Sequence, residues 1–242
     1  MDLRHAQRRT EILTMTTPPS FYGAYAVLTG DLVGSSRLSH SDLDHLRYRL
    51  DRAAGLLHDW QPGLVVGHPQ FFRGDAWQMA ITDPKLFLRV SIFLRAALIA
   101  EEPYGDTRIA VGLGSVDHLE QGRISQSVGE AFTLSGHALD EMGRRRDIDL
   151  SVSPEWADQI SWLSPMLSLC SVVIGRWTPK QAQMAMVLLQ PEAPNQSRIA
   201  EMHGRTQQGI SKIVVTAGLP AILSAIEFVE KGPWEALLTG QH

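Results

Sequence analysis

The sequence predicts an α+β protein: a sheet with helices, followed by an all-α segment. Two observations predict it. Over residues 24–152, short apolar or alternating runs take turns with stretches of helical spacing, and beyond about residue 155 tryptophans and short apolar pieces give way to helices only. Ala24–Thr29 is an apolar, partly β-branched run ending at Gly30, which reads as a buried strand. Ser41 is placed to cap the next segment, where Leu43, Leu46, Leu50, Ala53 or Ala54, and Leu57 recur as one face of an amphipathic helix. Leu64–Val66 and Phe71–Ile81 read as two strands, and Gly74-Asp75 between them is a hairpin signal that puts Asp75 at the tip. Pro84 suits the first turn of a helix over Lys85–Ala100. Thr107–Val116 alternates as a central strand. Gly129–Met142 reads as a third helix, stopped by Gly143 and Arg144-Arg145-Arg146, and Leu150–Val152 as a last strand. This order contains the split β-α-β arrangement of a ferredoxin-like sheet and predicts a sandwich with its helices on one face.

Past Trp156, Trp162 and Trp177, Thr178 and Pro179 supply a cap and first turn for a helix to about Leu189, and Pro191 to Pro194 break the chain after it. The division expected is a flexible arm over residues 1–20, a sheet domain over 21–167 and an all-α domain over 168–242, with the boundary near Ser168 to Gly175. A chain of 242 residues is long enough for both parts to bury a core.

The composition is that of an ordinary globular protein, 44% hydrophobic and 20% charged, which argues against wholesale disorder. A formal charge of −4 rules out a generally basic, non-specific nucleic-acid binder, so any DNA contact must be local. Cys170 is the only cysteine, which excludes an intramolecular disulfide, and its apolar setting reads as inert core. No stretch approaches the roughly 20 apolar residues of a membrane span, and Met1 to Ser20 lacks the apolar run of a signal peptide. A cytoplasmic protein without a membrane partner is expected.

From Gln196 to Val214 the spacing fits a helix-turn-helix. Ala200 is small where two helices cross, Gly204 can take positive φ in the turn, and Ile199, Ile210 and Ile213 pin the helices together. Thr206, Gln207, Gln208, Ser211 and Lys212 of the second helix can then read base edges of double-stranded DNA, while Arg198 and Arg205 meet phosphates. An ordinary αα-hairpin in a bundle is the alternative.

The N-terminal half carries a second signal. Asp31, in Gly30-Asp31-Leu32-Val33-Gly34-Ser35-Ser36, follows a strand and opens a turn whose N–H groups, from Leu32 through Val33, Gly34 and Ser35 to Ser36, can cradle phosphate oxygens. Asp75 can join Asp31 in holding Mg²⁺ or Mn²⁺, which take oxygen ligands from carboxylates and substrate phosphates. Arg73 beside Asp75 is a candidate phosphate contact. Taken singly, each Gly-Asp is a common turn.

In combination these motifs resemble the catalytic domain of class III nucleotidyl cyclases. Leu28–Ser36 is similar to its first metal motif, Phe72–Met79 to its hairpin, Arg108–Gly114 to its central strand and Gly129–Leu139 to the following helix. The whole resembles the SatD family, a cyclase-type domain joined to a C-terminal helix-turn-helix, in Gly30–Ser35, Gly74–Gln78 and Gly129–Phe132. The resemblance implies a cyclase-type sheet, a nucleotide ligand with a divalent metal on Asp31 and Asp75, and a homodimer that composes its site between subunits. It also implies that Thr133 and His137 stand where the family places a transition-state Asn and Arg, that Phe71 replaces a base-reading Lys, and that Gln126 stands at the other base-reading position. A neutral histidine does not replace a permanent guanidinium charge, so cyclisation is expected to be impaired. The resulting expectation is a DNA-binding transcriptional regulator whose cyclase-like domain senses a nucleotide. The alternatives are a divergent cyclase or related metal-dependent NTP-processing enzyme, or an adaptor whose aspartates merely serve turns.

Overall fold

The computed structural model describes residues 24–72, 74–120, 122–143, 147–232 and 234. The arm over residues 1–20, Arg73 and Arg144 to Arg146, all singled out above, lie outside them. In order, the elements are β1 (Ala24–Leu32), α1 (His40–Trp60), β2 (Val65–Phe72), β3 (Ala76–Ile81), α2 (Phe87–Ile99), β4 (Thr107–Ser115), α3 (Glu130–Glu141) and β5 (Ile148–Val152). Among the described residues, helices alone follow: α4 (Pro154–Ile160), α5 (Leu163–Ile174), α6 (Pro179–Leu188), α7 (Gln196–Met202), α8 (Gln207–Thr216) and α9 (Leu219–Glu230).

The five strands form one sheet in the order β2-β3-β1-β4-β5, antiparallel except for the parallel pair β4 and β5. The first four reproduce the split β-α-β order expected, and β5 extends it. Local chemistry differs from expectation at two places. Ser39, not Ser41, caps α1, its hydroxyl accepting from the Asp42 N–H at 3.1 Å, because the helix begins at His40. In the second place, β2 runs unbroken in secondary structure from Val65 to Phe72, although Gly67 at φ 66° and a register shift between Val66 and Gln70 break the alternation that would have announced it.

The helices lie on both faces, which corrects the one-face expectation. Along β1 and β4 the residues Leu28, Ile109 and Val111 join the main core with Leu46, Leu50 and Leu57 of α1 and Phe93 of α2. On the other face Val27 of β1 and its β3 partner Ala80 meet Ala131 of α3. A Cβ at Gly112 would lie 2.1 Å from the Ala131 carbonyl oxygen, so only glycine lets α3 come this close to β4.

The apolar core continues without a break into the C-terminal helices through Leu167, Ile174, Ala185, Ile210 and Ile226. The boundary expected between residues 167 and 168 falls inside α5. Cys170 is buried there, and burial pushes its thiol up to about 11. Thr178 caps α6 in a reciprocal capping box with Gln181, as the Thr-Pro pair predicted. Arg89 of α2 fastens this region: Nε and Nη2 donate to the two Glu230 carboxylate oxygens at 2.6 and 2.8 Å, and Nη1 donates to the Leu189 carbonyl at 2.8 Å. Outward on α5, Leu169 and Val172 are exposed, and Trp162 meets Phe228 of α9 edge-on at 5.1 Å. Among the described residues no single helix is long and apolar enough to cross a membrane; α8 and α9 pass only as a pair, bent by 65°.

Candidate functional site

Two aspartates, one on a strand and one in a hairpin, line one cleft at the carboxyl end of β1. Gly30 precedes Asp31 for a reason of packing: a Cβ there would stand 2.6 Å from the Trp77 ring and 2.5 Å from the Arg108 carbonyl oxygen. Trp77 in turn donates its Nε1–H to Thr107 Oγ1 at 2.9 Å. Asp31 does not open a turn as expected; the ladder with β4 runs on through Leu32 opposite Thr107, so Asp31 is a strand residue facing the α3 side.

The hairpin after β2 is bound to this strand end. Gly74 turns at φ 93°, the Leu32 N–H donates to the Asp75 carbonyl at 3.2 Å, and Ser35 Oγ donates to Asp75 Oδ2. From the other side Arg47 of α1 stands 5.6 Å over the Phe71 ring and donates to the Gly74 carbonyl, fixing the tip that carries Asp75. A cleft of about 670 Å³ opens between the sheet and the second half of α3, and both Asp31 and Asp75 line it. Thr29, Gln78 and Arg108 line its sheet wall, and Gly136, Leu139 and Asp140 its α3 wall. Gln78 Nε2 donates to Thr29 Oγ1 at 2.9 Å, and Thr29 shares a 2.8 Å hydrogen bond with Ser135, so this wall is held by its own hydrogen bonds. A larger cleft of about 890 Å³ lies against the edge strand β2, with Asp51, His58 and His68 in its wall. It contains neither Asp31 nor Asp75; the smaller cleft is the one in which both stand, beside Arg108, Gln78 and Thr29.

Asp31 has a partner that sequence reasoning did not assign. Arg108 stands directly opposite it on β4; its Nε donates to Asp31 Oδ1 at 2.8 Å, its Nη2 to Oδ2, and its Nη1 to the Met142 carbonyl at 3.2 Å. The Asp31 hydrogen bond raises the Arg108 pKa above the ordinary arginine value against partial desolvation, and the charges of Asp31, Asp147 and Asp75 add to it. Thr29, Gln78, Arg108 and Asp140 were all missed as cleft residues. The alternation of β4 was the available signal, since it sets Arg108 on the same face as Ala110 and Gly112.

The residues expected to cradle phosphate are only partly free. Leu32 is buried with its N–H given to Asp75, and the Val33 N–H donates to the Asp106 carbonyl at 2.9 Å. Asp106 is itself held by the fully buried Arg95, whose Nε and Nη2 donate to it at 2.8 and 2.6 Å. Gly34 turns at φ 71° into a short 3-10 turn over Ser35–Arg37, where Ser36 is exposed. Thr133 and His137 are exposed on α3 and do not line the cleft, while Phe71 lies under Arg47 and Gln126 is exposed.

A divalent cation bridging Asp31 and Asp75 does not fit this arrangement. Both oxygens of Asp31 are held by a guanidinium of the same charge sign as the ion, and among the described residues no three His, Cys, Asp or Glu side chains gather as a ligand set.

At the other end of the chain, α7 and α8 are joined by a tight turn with Gly204 at φ 58°. Ile199 and Ile210 are fully buried and Ala200 nearly so. Arg205, Gln207, Gln208 and Lys212 are exposed and Ser211 is half-buried. Thr206 caps α8 by accepting from the Gly209 N–H at 3.1 Å, and exposed Arg198 pairs with Glu201 at 3.0 Å.

No family model and no curated protein matches the sequence. Among solved structures, the active GGEEF domain of a diguanylate cyclase from Vibrio cholerae is similar at 10% identity and a TM-score of 0.38, over 55% of this chain and 84% of that one. The guanylyl cyclase Cya2 is similar at 14% identity and a TM-score of 0.35, over 56% of this chain and 77% of that one.

Proposed function

We propose that this protein is a nucleotide-responsive DNA-binding regulator, in which the cleft beside Asp31 takes a nucleotide and the α7–α8 pair reads DNA. The observation that carries the reading is the convergence of Asp31, Asp75, Arg108, Gln78 and Thr29 on one cleft whose volume suits a small ligand. Arg108 can meet the ligand's anionic part, and the Gln78 amide can meet polar groups elsewhere on it. Mg²⁺ or Mn²⁺ enters only as a competitor of Arg108 for Asp31. At the C-terminal end, exposed Gln207, Gln208 and Lys212 present amide and cationic groups from the first turns of α8, with Arg205 just before it, the placement that reading base edges and phosphates requires. A homodimer completes the reading, because two copies present two such helices, and the exposed Leu169 and Val172 stripe on α5 is apolar surface for pairing. The cytoplasm, where DNA and nucleotides are both accessible, is the compartment this reading requires.

Calorimetry with the four ribonucleoside triphosphates tests the cleft, and fluorescence anisotropy with genomic DNA fragments, with and without each nucleotide, tests the reader. Heat from at least one nucleotide, together with a nucleotide-dependent change in DNA affinity that is lost in Gln207→Ala/Lys212→Ala, is expected. No heat from any nucleotide would end the sensor reading. Chromatography of the same mixtures decides the enzyme alternative, since intact nucleotide is expected and a new phosphorylated product would replace sensing by turnover.

A further inference from the structure

We propose that Arg108 takes the place of a metal ion in this cleft: held in position by Asp31, it turns its remaining N–H donors to the ligand's phosphate oxygens, and binding needs no divalent cation. The inference rests on the nucleotide reading of the same cleft and specifies how its anionic end is held.

The geometry supports it from three directions. Asp31 and Arg108 are direct cross-strand partners on two central strands, so their pairing is set by the β1–β4 register and not by a chance side-chain excursion. Both carboxylate oxygens of Asp31 accept from this one guanidinium, so a cation approaching their remaining lone pairs meets a fixed like charge on the same carboxylate. Arg108 is also tied by the Met142 carbonyl just past α3, so expulsion would cost a third hydrogen bond. A guanidinium has five N–H donors, and three are spent here. The remaining two, one on each terminal nitrogen, are left for a ligand. Such a planar pair matches two phosphate oxygens better than a point charge does. Asp75 does not make a metal site by itself, because a hard cation asks for several oxygen ligands and among the described residues no three His, Cys, Asp or Glu side chains gather.

Two titrations test this on the full chain, with inorganic tripolyphosphate and the nucleoside triphosphates as probes, each in chelator and in Mg²⁺. Tripolyphosphate is expected to bind in chelator, and Mg²⁺, which complexes the free probe, is expected not to tighten it. Binding should weaken by about tenfold to a hundredfold in Arg108→Gln, the range for losing a charged hydrogen bond, and recover in part in Arg108→Lys. Should tripolyphosphate bind while every nucleotide fails, the nucleotide reading falls and the Arg108 site stands. Nucleotide binding that appears only with Mg²⁺ keeps that reading and overturns the site, and failure of both probes in chelator also overturns it. Electron paramagnetic resonance of Mn²⁺ alone provides an arm that needs no Arg108 variant. Equal Mn²⁺ binding by wild type and Asp31→Asn is expected, and binding lost in Asp31→Asn contradicts the proposal.

Discussion

The two faces of the sheet are made by the same strands and do opposite things. On the α1–α2 face, Leu28, Trp77, Met79, Ile109 and Val111 are large and fully buried. On the α3 face their neighbours are Thr29, Gln78, Ala80, Ala110 and Gly112, small or polar. Small residues let α3 lie almost on the backbone at Gly112, and polar ones line the opening where α3 and the sheet diverge toward Asp31. One face is thus filled to exclude water, and the other is thinned so that a cleft stays open beside Asp31. A two-residue period is enough to write both onto one strand.

Substitutions on the two faces sharpen this contrast. Gly112→Val, which drives a side chain into the Ala131 carbonyl, is expected to cost about 4 kcal/mol in denaturant unfolding and to abolish ligand binding together with α3 docking. Leu50→Ala, on the filled face, should cost about 3 kcal/mol yet leave the affinity of the folded protein unchanged. Equal damage to binding by both variants at matched folded fraction would erase the distinction. Trp77→Phe removes the Nε1 hydrogen bond to Thr107 and should cost about 1 kcal/mol. Gly136→Ala is the smallest and most discriminating change. This helix position has nothing within 4 Å of the added methyl group, so unfolding should become harder by about 0.5–1 kcal/mol. The methyl group enters the cleft wall, so ligand affinity should fall. A variant that is both more stable and tighter-binding would mean that the cleft is not the ligand site.

The sequence made much of the scaffold legible. Period-two and helical spacing located all five strands and the three helices among them, and the Gly74-Asp75 hairpin and the Thr178-Pro179 cap appear where their chemistry put them. Three features were hidden for physical reasons. The second helical layer depends on the absence of a side chain at Gly112, which in sequence looks like any strand glycine. Continuity of β2 is masked by Gly67 and Pro69. The Asp31–Arg108 pair is a matter of register: its members are 77 residues apart, and no local pattern says which β4 residue faces Asp31. Both aspartates stand out in their motifs, but the Arg108 partner of Asp31 is fixed by the ladder and the Ser35 partner of Asp75 by the turn after β1.

Arg89 gives the C-terminal helices a particular mechanics. One guanidinium grips the carbonyl at the end of α6 and the carboxylate at the end of α9, so everything from Gln190 to Val229 departs from and returns to a single knot. A protease cut in the Pro191–Pro194 stretch would therefore sever the polypeptide without releasing its far piece: the two fragments should migrate together on a sizing column and separate only when the knot is undone by denaturant.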